Sequence, residues 1–144
     1  MDFNDKLSKT DEIPVRFSEV DSLRIVWHGH YVKYLEEARE AFGKAYGIGY
    51  CDVEKAGFST PIVKVDIDYK RQLIYGDTAV IEATYVDSEA AKIIFDYVIK
   101  RKSNNEIIAT ARTIQVFLFI ESQELSLNQP EFMINWKIKY GFLK

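Results

Sequence analysis

Two hydrophobic periods divide this chain. Tyr31, Leu35, Ala38, Phe42 and Ala45 recur at intervals of 4, 3, 4 and 3, which places them along one face of an α-helix. Gly47 and Gly49 then supply a stop. Val32, Tyr34 and Tyr46 widen the apolar face while Lys33, Glu36, Glu40 and Lys44 keep part of it polar, so the helix is expected to be largely wrapped by another layer. From residue 63 the period becomes 2. Val63, Val65, Ile67 and Tyr69 alternate with Lys64, Asp66, Asp68 and Lys70, the pattern of a strand with one dry and one wet face. Ala79, Ile81, Ala83 and Tyr85, and then Ile93, Phe95, Tyr97 and Ile99, repeat it, with turn sequences at 75–77, 87–89 and 103–105.

Residues 13–18 predict a first strand, 19–24 a polar connection, and 51–60 a loop or short irregular helix before Pro61. The stretch 107–120 predicts a final strand whose apolar positions shift from 107, 109 and 111 to 114, 116, 118 and 120, as a β-bulge would make them. Phe117 and Phe119 make its end dry on both faces, which points to a buried central strand and a subunit contact. Pro130, with Trp136 and Tyr140 four apart, is consistent with a short C-terminal helix. A strand, a long helix and four antiparallel strands together predict an α+β fold in which an antiparallel sheet wraps a long central helix. Such a sheet leaves edges, and pairing an edge strand with that of a second copy would cover them, so a homodimer is expected.

At 144 residues, 47% of them hydrophobic, the chain is expected to form one domain over 1–144, with a core at about 13–120 and a C-terminal extension at 121–144. A net charge of −3 gives no footprint for nucleic acid. The longest apolar run, Val116 to Ile120, is far short of the roughly 20 residues that span a bilayer, so no membrane span is expected. Residues 1–12 are polar and acidic without an apolar h-region, and the cytoplasm is the expected compartment. Cys51 has no partner for a disulfide, and with only His28 and His30 beside it a closed zinc site is not expected; a partly buried apolar role is its simplest reading.

The chemistry-bearing residues gather between 15 and 38. Asp21 precedes the helix start, in a connection whose segment 23–27 is apolar except for Arg24. An Asp there is more often a turn former than a catalyst. Near His28-Gly29-His30, however, the first helical amides lack partners and the macrodipole is positive, so an acyl oxygen placed there would be polarised. His28 and His30, two apart, diverge and suit a metal poorly. Glu36 and Glu37 could serve as acid or base but are expected to pair with nearby cations, and Lys70-Arg71 and Lys100-Arg101-Lys102 are expected to be solvated rather than to grip phosphate. No nucleotide loop, nucleophile elbow or spaced Cys/His pair is present.

Val15-Arg16-Phe17, Glu19-Val20-Asp21, Ile25-Val26-Trp27-His28-Gly29, Tyr31 and Glu36-Glu37-Ala38-Arg39, with Tyr69 and Gly76-Asp77, resemble the hotdog-fold acyl-CoA thioesterases, in the branch of 4-hydroxybenzoyl-CoA thioesterase and the YbgC-like enzymes. The resemblance implies a sheet wrapped around the helix, two subunits joined edge to edge as a dimer or a dimer of dimers, and substrate at their interface. It places Asp21 at the catalytic-carboxylate position and the His28 amide at the thioester oxygen. Arg24 stands where many relatives have glycine and His30 where asparagine is common, departures that bear on the substrate more than on the reaction. The expected activity is hydrolysis of an acyl-CoA or acyl-carrier-protein thioester, with Asp21 as nucleophile or general base. Trp27, Gly29, Tyr31, Ser59 and Thr60 are expected at the substrate, with packing as the alternative. No cofactor is implied, since coenzyme A is part of the substrate. A non-catalytic acyl-CoA-binding regulator and a dehydratase or hydratase are the other readings of such a fold.

Overall fold

The structure is a computed structural model that describes residues 7–144; part of the acidic 1–12 stretch therefore lies outside the described residues. In chain order the elements are β1 (Ser8–Pro14), a 3-10 turn (Phe17–Glu19), α1 (His30–Tyr46), α2 (Tyr50–Lys55), β2 (Phe58–Ser59), β3 (Ile62–Tyr69), β4 (Thr78–Val86), β5 (Lys92–Arg101), β6 (Ile107–Val116), β7 (Leu118–Phe119) and α3 (Glu131–Lys139). Five strands form one antiparallel sheet in the order β1-β4-β5-β6-β3, and β2 pairs with β7 in a separate two-stranded strap. The inner face of the sheet packs on α1 through Ile81, Ala83, Phe95 and Ile99 against Tyr34, Leu35, Ala38 and Phe42. Among the described residues no helix is long and apolar enough to cross a membrane.

Most expected elements form, and the exceptions have physical causes. The first strand is Ser8–Pro14 rather than 13–18. Val15 still hydrogen-bonds the Asp77 carbonyl, but Arg16 then turns the chain into the 3-10 segment by bonding Glu19. Ala45 is exposed, and the helical stripe is completed instead by Tyr34 and by Tyr46, which packs on Phe42. The α1 stop is as expected: Gly47 takes φ 71° in the left-handed region and donates to the Gly43 carbonyl. The short helix anticipated within 51–60 is α2, with Cys51 exposed on it rather than partly buried.

The expected bulge in the last strand is misplaced. Pairing between β5 and β6 runs without a break from Lys92↔Val116 to Ile99↔Ala109, and the shift falls beyond it, near Lys100. Thr113 and Gln115 therefore point inward with Ala109 and Phe117, while Ile114 and Val116 lie on the outer face. The inward polar groups are satisfied: Thr113 shares a 2.7 Å hydrogen bond with the Tyr97 hydroxyl, and Gln115 donates to the Thr60 carbonyl at 2.8 Å. Edge strand β3 also departs from expectation: Ile67 packs against the core and Tyr69 against Tyr31, but Val63 and Val65 are left exposed in one protomer.

The C-terminal extension joins the core. Trp136 packs among Tyr85, Tyr140 and Phe142 and donates its indole N–H to the Tyr46 carbonyl. The buried Lys137 ammonium bonds the Ser88 carbonyl at 2.6 Å and Asp87 at 2.9 Å, pinning α3 to the β4–β5 turn.

Candidate active site

Asp21 sits on a short hairpin. Val20 and Val26 bridge antiparallel, the Asp21 N–H donates to the Ile25 carbonyl at 2.9 Å, and the Trp27 N–H donates to the Glu19 carbonyl at 3.0 Å. The tip passes through Arg24 at φ 66°, in the left-handed region that glycine adopts more readily. Asp21 Oδ1 accepts the N–H groups of Leu23 at 2.8 Å and Ile25 at 3.3 Å. Asp21 is thus a turn former, as its residue type predicts, but the turn occupies one oxygen. Among the described residues no protein donor reaches Oδ2.

The helix start is drawn tight beside it. The His30 N–H donates to the Trp27 carbonyl at 2.9 Å and the Tyr31 N–H to the His28 carbonyl at 3.3 Å. The His28 carbonyl also accepts the Tyr69 hydroxyl at 2.9 Å, and the Tyr31 hydroxyl accepts the Leu73 N–H at 3.2 Å, so β3 and the segment after it hold both ends of this turn. Among the described residues the N–H groups of His28 and Gly29 donate to no protein acceptor. Asp21, Trp27, His28 and Tyr31 line one recess of about 350 Å³, closed laterally by Val26 and Tyr69. Trp27 lies over Gly29, where an added Cβ would come within 2.2 Å of the ring.

Ser59 and Thr60 are not in this recess. They line a larger cavity of about 760 Å³ at the opposite end of β3, with Arg39, Phe95, Gln115 and Leu118. Phe58–Ser59 belongs to the strap and Thr60 precedes β3, whereas Tyr69 at the far end of β3 meets His28; one protomer cannot bring the two groups together. Arg39 reaches the Tyr97 hydroxyl at 3.2 Å. Glu37 pairs with Arg16 at 3.3 Å. Arg101 is held by Asp77, Glu106 and the Gln72 carbonyl, and Lys102 by Glu12, so these two are committed to the sheet. Among the described residues no cluster of three or more His, Cys, Asp or Glu side chains is arranged to hold a metal.

Glu19 is the residue that sequence reading missed. Assigned to a polar connection, it is only 4% exposed. Its carboxylate accepts the Arg16 backbone N–H at 2.8 Å, the Arg16 guanidinium at 2.8 Å and the Tyr34 hydroxyl at 2.7 Å. Burial works against its charge, but these three bonds prevail and hold the carboxyl below the usual glutamate value. Burial and the neighbouring Glu19 push the Tyr34 hydroxyl up, so it remains a donor. The three-residue spacing of Arg16 and Glu19 is the sequence signal that could have found this pair.

The profile of the thioesterase-like superfamily matches residues 15–136. The chain belongs to that superfamily. It is 40% identical over 86 residues to YneP of Bacillus subtilis, a protein named as a candidate acyl-CoA thioesterase; the match covers 60% of this chain and 62% of that one. It is 31% identical over 107 residues to the chloroplastic acyl-acyl carrier protein thioesterase ATL3 of Arabidopsis thaliana, covering 74% of this chain and 56% of that one. The chain thus spans less than two thirds of both curated relatives. It superposes on the DHNA-CoA thioesterase of Staphylococcus aureus with a TM-score of 0.82 at 21% identity, covering 93% of this chain and 89% of that one. This superfamily member has the hotdog fold, an antiparallel sheet wrapped around α1.

Proposed function

We propose that this protein hydrolyses acyl thioesters of coenzyme A or of an acyl carrier protein. One observation carries the proposal: Asp21, a carboxylate with an uncommitted oxygen, and His28, whose amide has no protein acceptor among the described residues, line the same recess. The superfamily and the names of its members support the choice of a thioester over other acyl groups. With the thioester oxygen against the His28 N–H, charge developing on it is stabilised; one such donor is worth about 3 kcal/mol in a transition state. Ionised Asp21 then either attacks the carbonyl carbon, expelling the thiolate and leaving a mixed anhydride for water to cleave, or takes a proton from the water that attacks. Burial pushes the Tyr31 hydroxyl up, so it stays a neutral wall of the recess.

The working unit is a homodimer in this proposal. β3 is a sheet edge with Val63 exposed near its start and Val65 exposed at its middle. Antiparallel pairing of β3 with a second copy about a two-fold axis would set Tyr69 of one protomer near the Ile62 end of the other. The Asp21 recess would then open toward the partner's larger cavity, with Ser59 and Thr60 on its wall, and an acyl group longer than the recess could extend there.

The test is free-thiol release over a panel of acyl-CoA and acyl-carrier-protein thioesters, on wild type and Asp21→Asn. Asparagine keeps the oxygen that accepts the Leu23 and Ile25 amides, so the turn survives while the charge is lost. The expected loss is about 100- to 10,000-fold. No thiol from any thioester with wild type refutes hydrolysis; a variant at full rate refutes the role of Asp21.

A further inference from the structure

We infer that Glu19 is a positioning residue that fixes Asp21 and the His28 amide relative to each other; this inference rests on the hydrolytic reading above. Both groups depend on one structural rung. The Glu19 carbonyl accepts the Trp27 N–H at 3.0 Å, closing the base of the hairpin. Asp21 lies two residues after the start of that rung and His28 one residue after its end. Backbone pairing sets the hairpin's own shape and ties its Arg24–Val26 arm to residues 73–75, but it makes no bond from the hairpin base at Glu19 to the body of the helix.

The Glu19 side chain supplies that bond. Its Oε1 reaches across to the Tyr34 hydroxyl at 2.7 Å, and Tyr34 is a fully buried residue one turn into α1. The same oxygen takes the Arg16 amide at 2.8 Å, and Oε2 takes the Arg16 guanidinium, which in turn reaches Glu37 on α1 at 3.3 Å. The hairpin base is thereby tied to the helix through both oxygens of one carboxylate, directly to Tyr34 and by way of the Arg16 guanidinium to Glu37. A carboxylate this deeply buried is tolerated because all three donors are in place, and each fixes it in one orientation. Glu19 itself does not line the recess, so it acts through the groups it holds. Displacing reacting groups by about 1 Å can cost on the order of 100-fold in rate, which is the scale of effect open to such a residue.

The experiment measures kcat, KM and thermal midpoint for wild type, Glu19→Gln, Tyr34→Phe and Asp21→Asn, and for Glu19→Gln combined with Asp21→Asn, together with the Kd of a non-hydrolysable acyl-CoA thioether. Glu19→Gln is expected to lower kcat by about 10- to 100-fold while KM and the thioether Kd change less than about twofold. Tyr34→Phe should shift kcat in the same direction by a smaller factor, and it carries the test if Glu19→Gln does not fold. In the Asp21→Asn background Glu19→Gln should change the residual rate by less than about twofold, because there is no carboxylate left to misplace. Unchanged kcat in both single variants overturns the inference, as does an equal fold-loss with and without Asp21, or a loss confined to KM and Kd. If Asp21→Asn is inactive while Glu19→Gln and Tyr34→Phe are fully active, only the role of Glu19 fails; if Asp21→Asn is itself fully active, the reading beneath it fails.

Discussion

Gly29→Ala should be destabilising in the wild-type protein and neutral to stabilising once Trp27 is removed. Gly29 has φ −68° and ψ −22°, a conformation alanine adopts without strain. By itself the substitution would therefore stabilise by about 0.4–1 kcal/mol through the unfolded chain. Opposing this, the new Cβ would fall 2.2, 2.4 and 2.7 Å from three atoms of the Trp27 ring. The backbone of the helix start is held by the His30 and Tyr31 amides and by Tyr69, so the ring must move. Trp27 is 54% exposed, leaving somewhat under half its surface covered, chiefly against His28 and His30. Taking roughly 250 Å² for a whole indole side chain, about 110 Å² is at stake, or ~3 kcal/mol at ~25 cal/mol per Å² if all of it were lost. A ring that swings aside keeps part of its contact, so about 1–2 kcal/mol is lost and the net cost, taken at the middle of the two ranges, is about 0.8 kcal/mol.

Urea unfolding of the four proteins of the cycle (wild type, Gly29→Ala, Trp27→Ala and the double variant) measures this directly. The expected coupling is about 1–2 kcal/mol, with the sign of the Gly29→Ala effect reversed in the Trp27→Ala background. An equal cost in both backgrounds would show that something other than the indole excludes a side chain at position 29, and Trp27 would then not be the wall that confines this end of the recess.

Two further expectations concern charge and assembly. Because the folded Glu19 carboxyl titrates below the ordinary value of 4.5, its stabilising contribution is complete above that value and is lost as pH falls through the lowered one. The stability gap between wild type and Glu19→Gln should therefore shrink on going from about pH 7 to about pH 3 in matched urea titrations, and a gap independent of pH would contradict the assignment. Val65→Lys places a charge at the middle of the exposed edge strand, where Val65 pairs in register with Thr113. Light scattering after size exclusion should find a monomer with reduced thioesterase rate; an unchanged dimer would move the interface away from β3.

The core of the fold is legible because burial and period agree. The inward residues of β4 and β5, from Ala79 to Tyr85 and from Ile93 to Ile99, are those that simple alternation selects. The stripe on α1 from Tyr31 to Phe42 is equally plain. Asp21, Trp27, His28 and Tyr31 come together because sequence neighbours on a hairpin and a helix start are necessarily spatial neighbours. Ser59 and Thr60 could not be placed by the same logic, since their separation from Asp21 depends on which end of β3 each contacts. The edge character of β3 is hidden for a related reason: its alternation is genuine and Ile67 packs on the core, but nothing within one chain covers Val63 and Val65 on the same strand.

The places where patterning fails share a cause that bears on function. Thr113 and Gln115 read as outward because they are polar, yet they face inward, where Tyr97 and the Thr60 carbonyl satisfy them. Glu19 reads as solvated because it is charged, yet Arg16 and Tyr34 allow it to be buried. In each case a buried polar group is acceptable only because another segment, distant in sequence, supplies its hydrogen bonds. Such groups contribute little net stability compared with an apolar side chain of the same size, but they fix one arrangement where apolar packing would accept several. They also stand where arrangement matters: Gln115 and Arg39, the latter backed by the Tyr97–Thr113 pair, line the larger cavity, and Glu19 lies behind the Asp21 hairpin. A wall built from bonded polar groups can hold a cavity open beside a core that would otherwise collapse into it, and that requirement accounts for polar residues at positions where alternation calls for apolar ones.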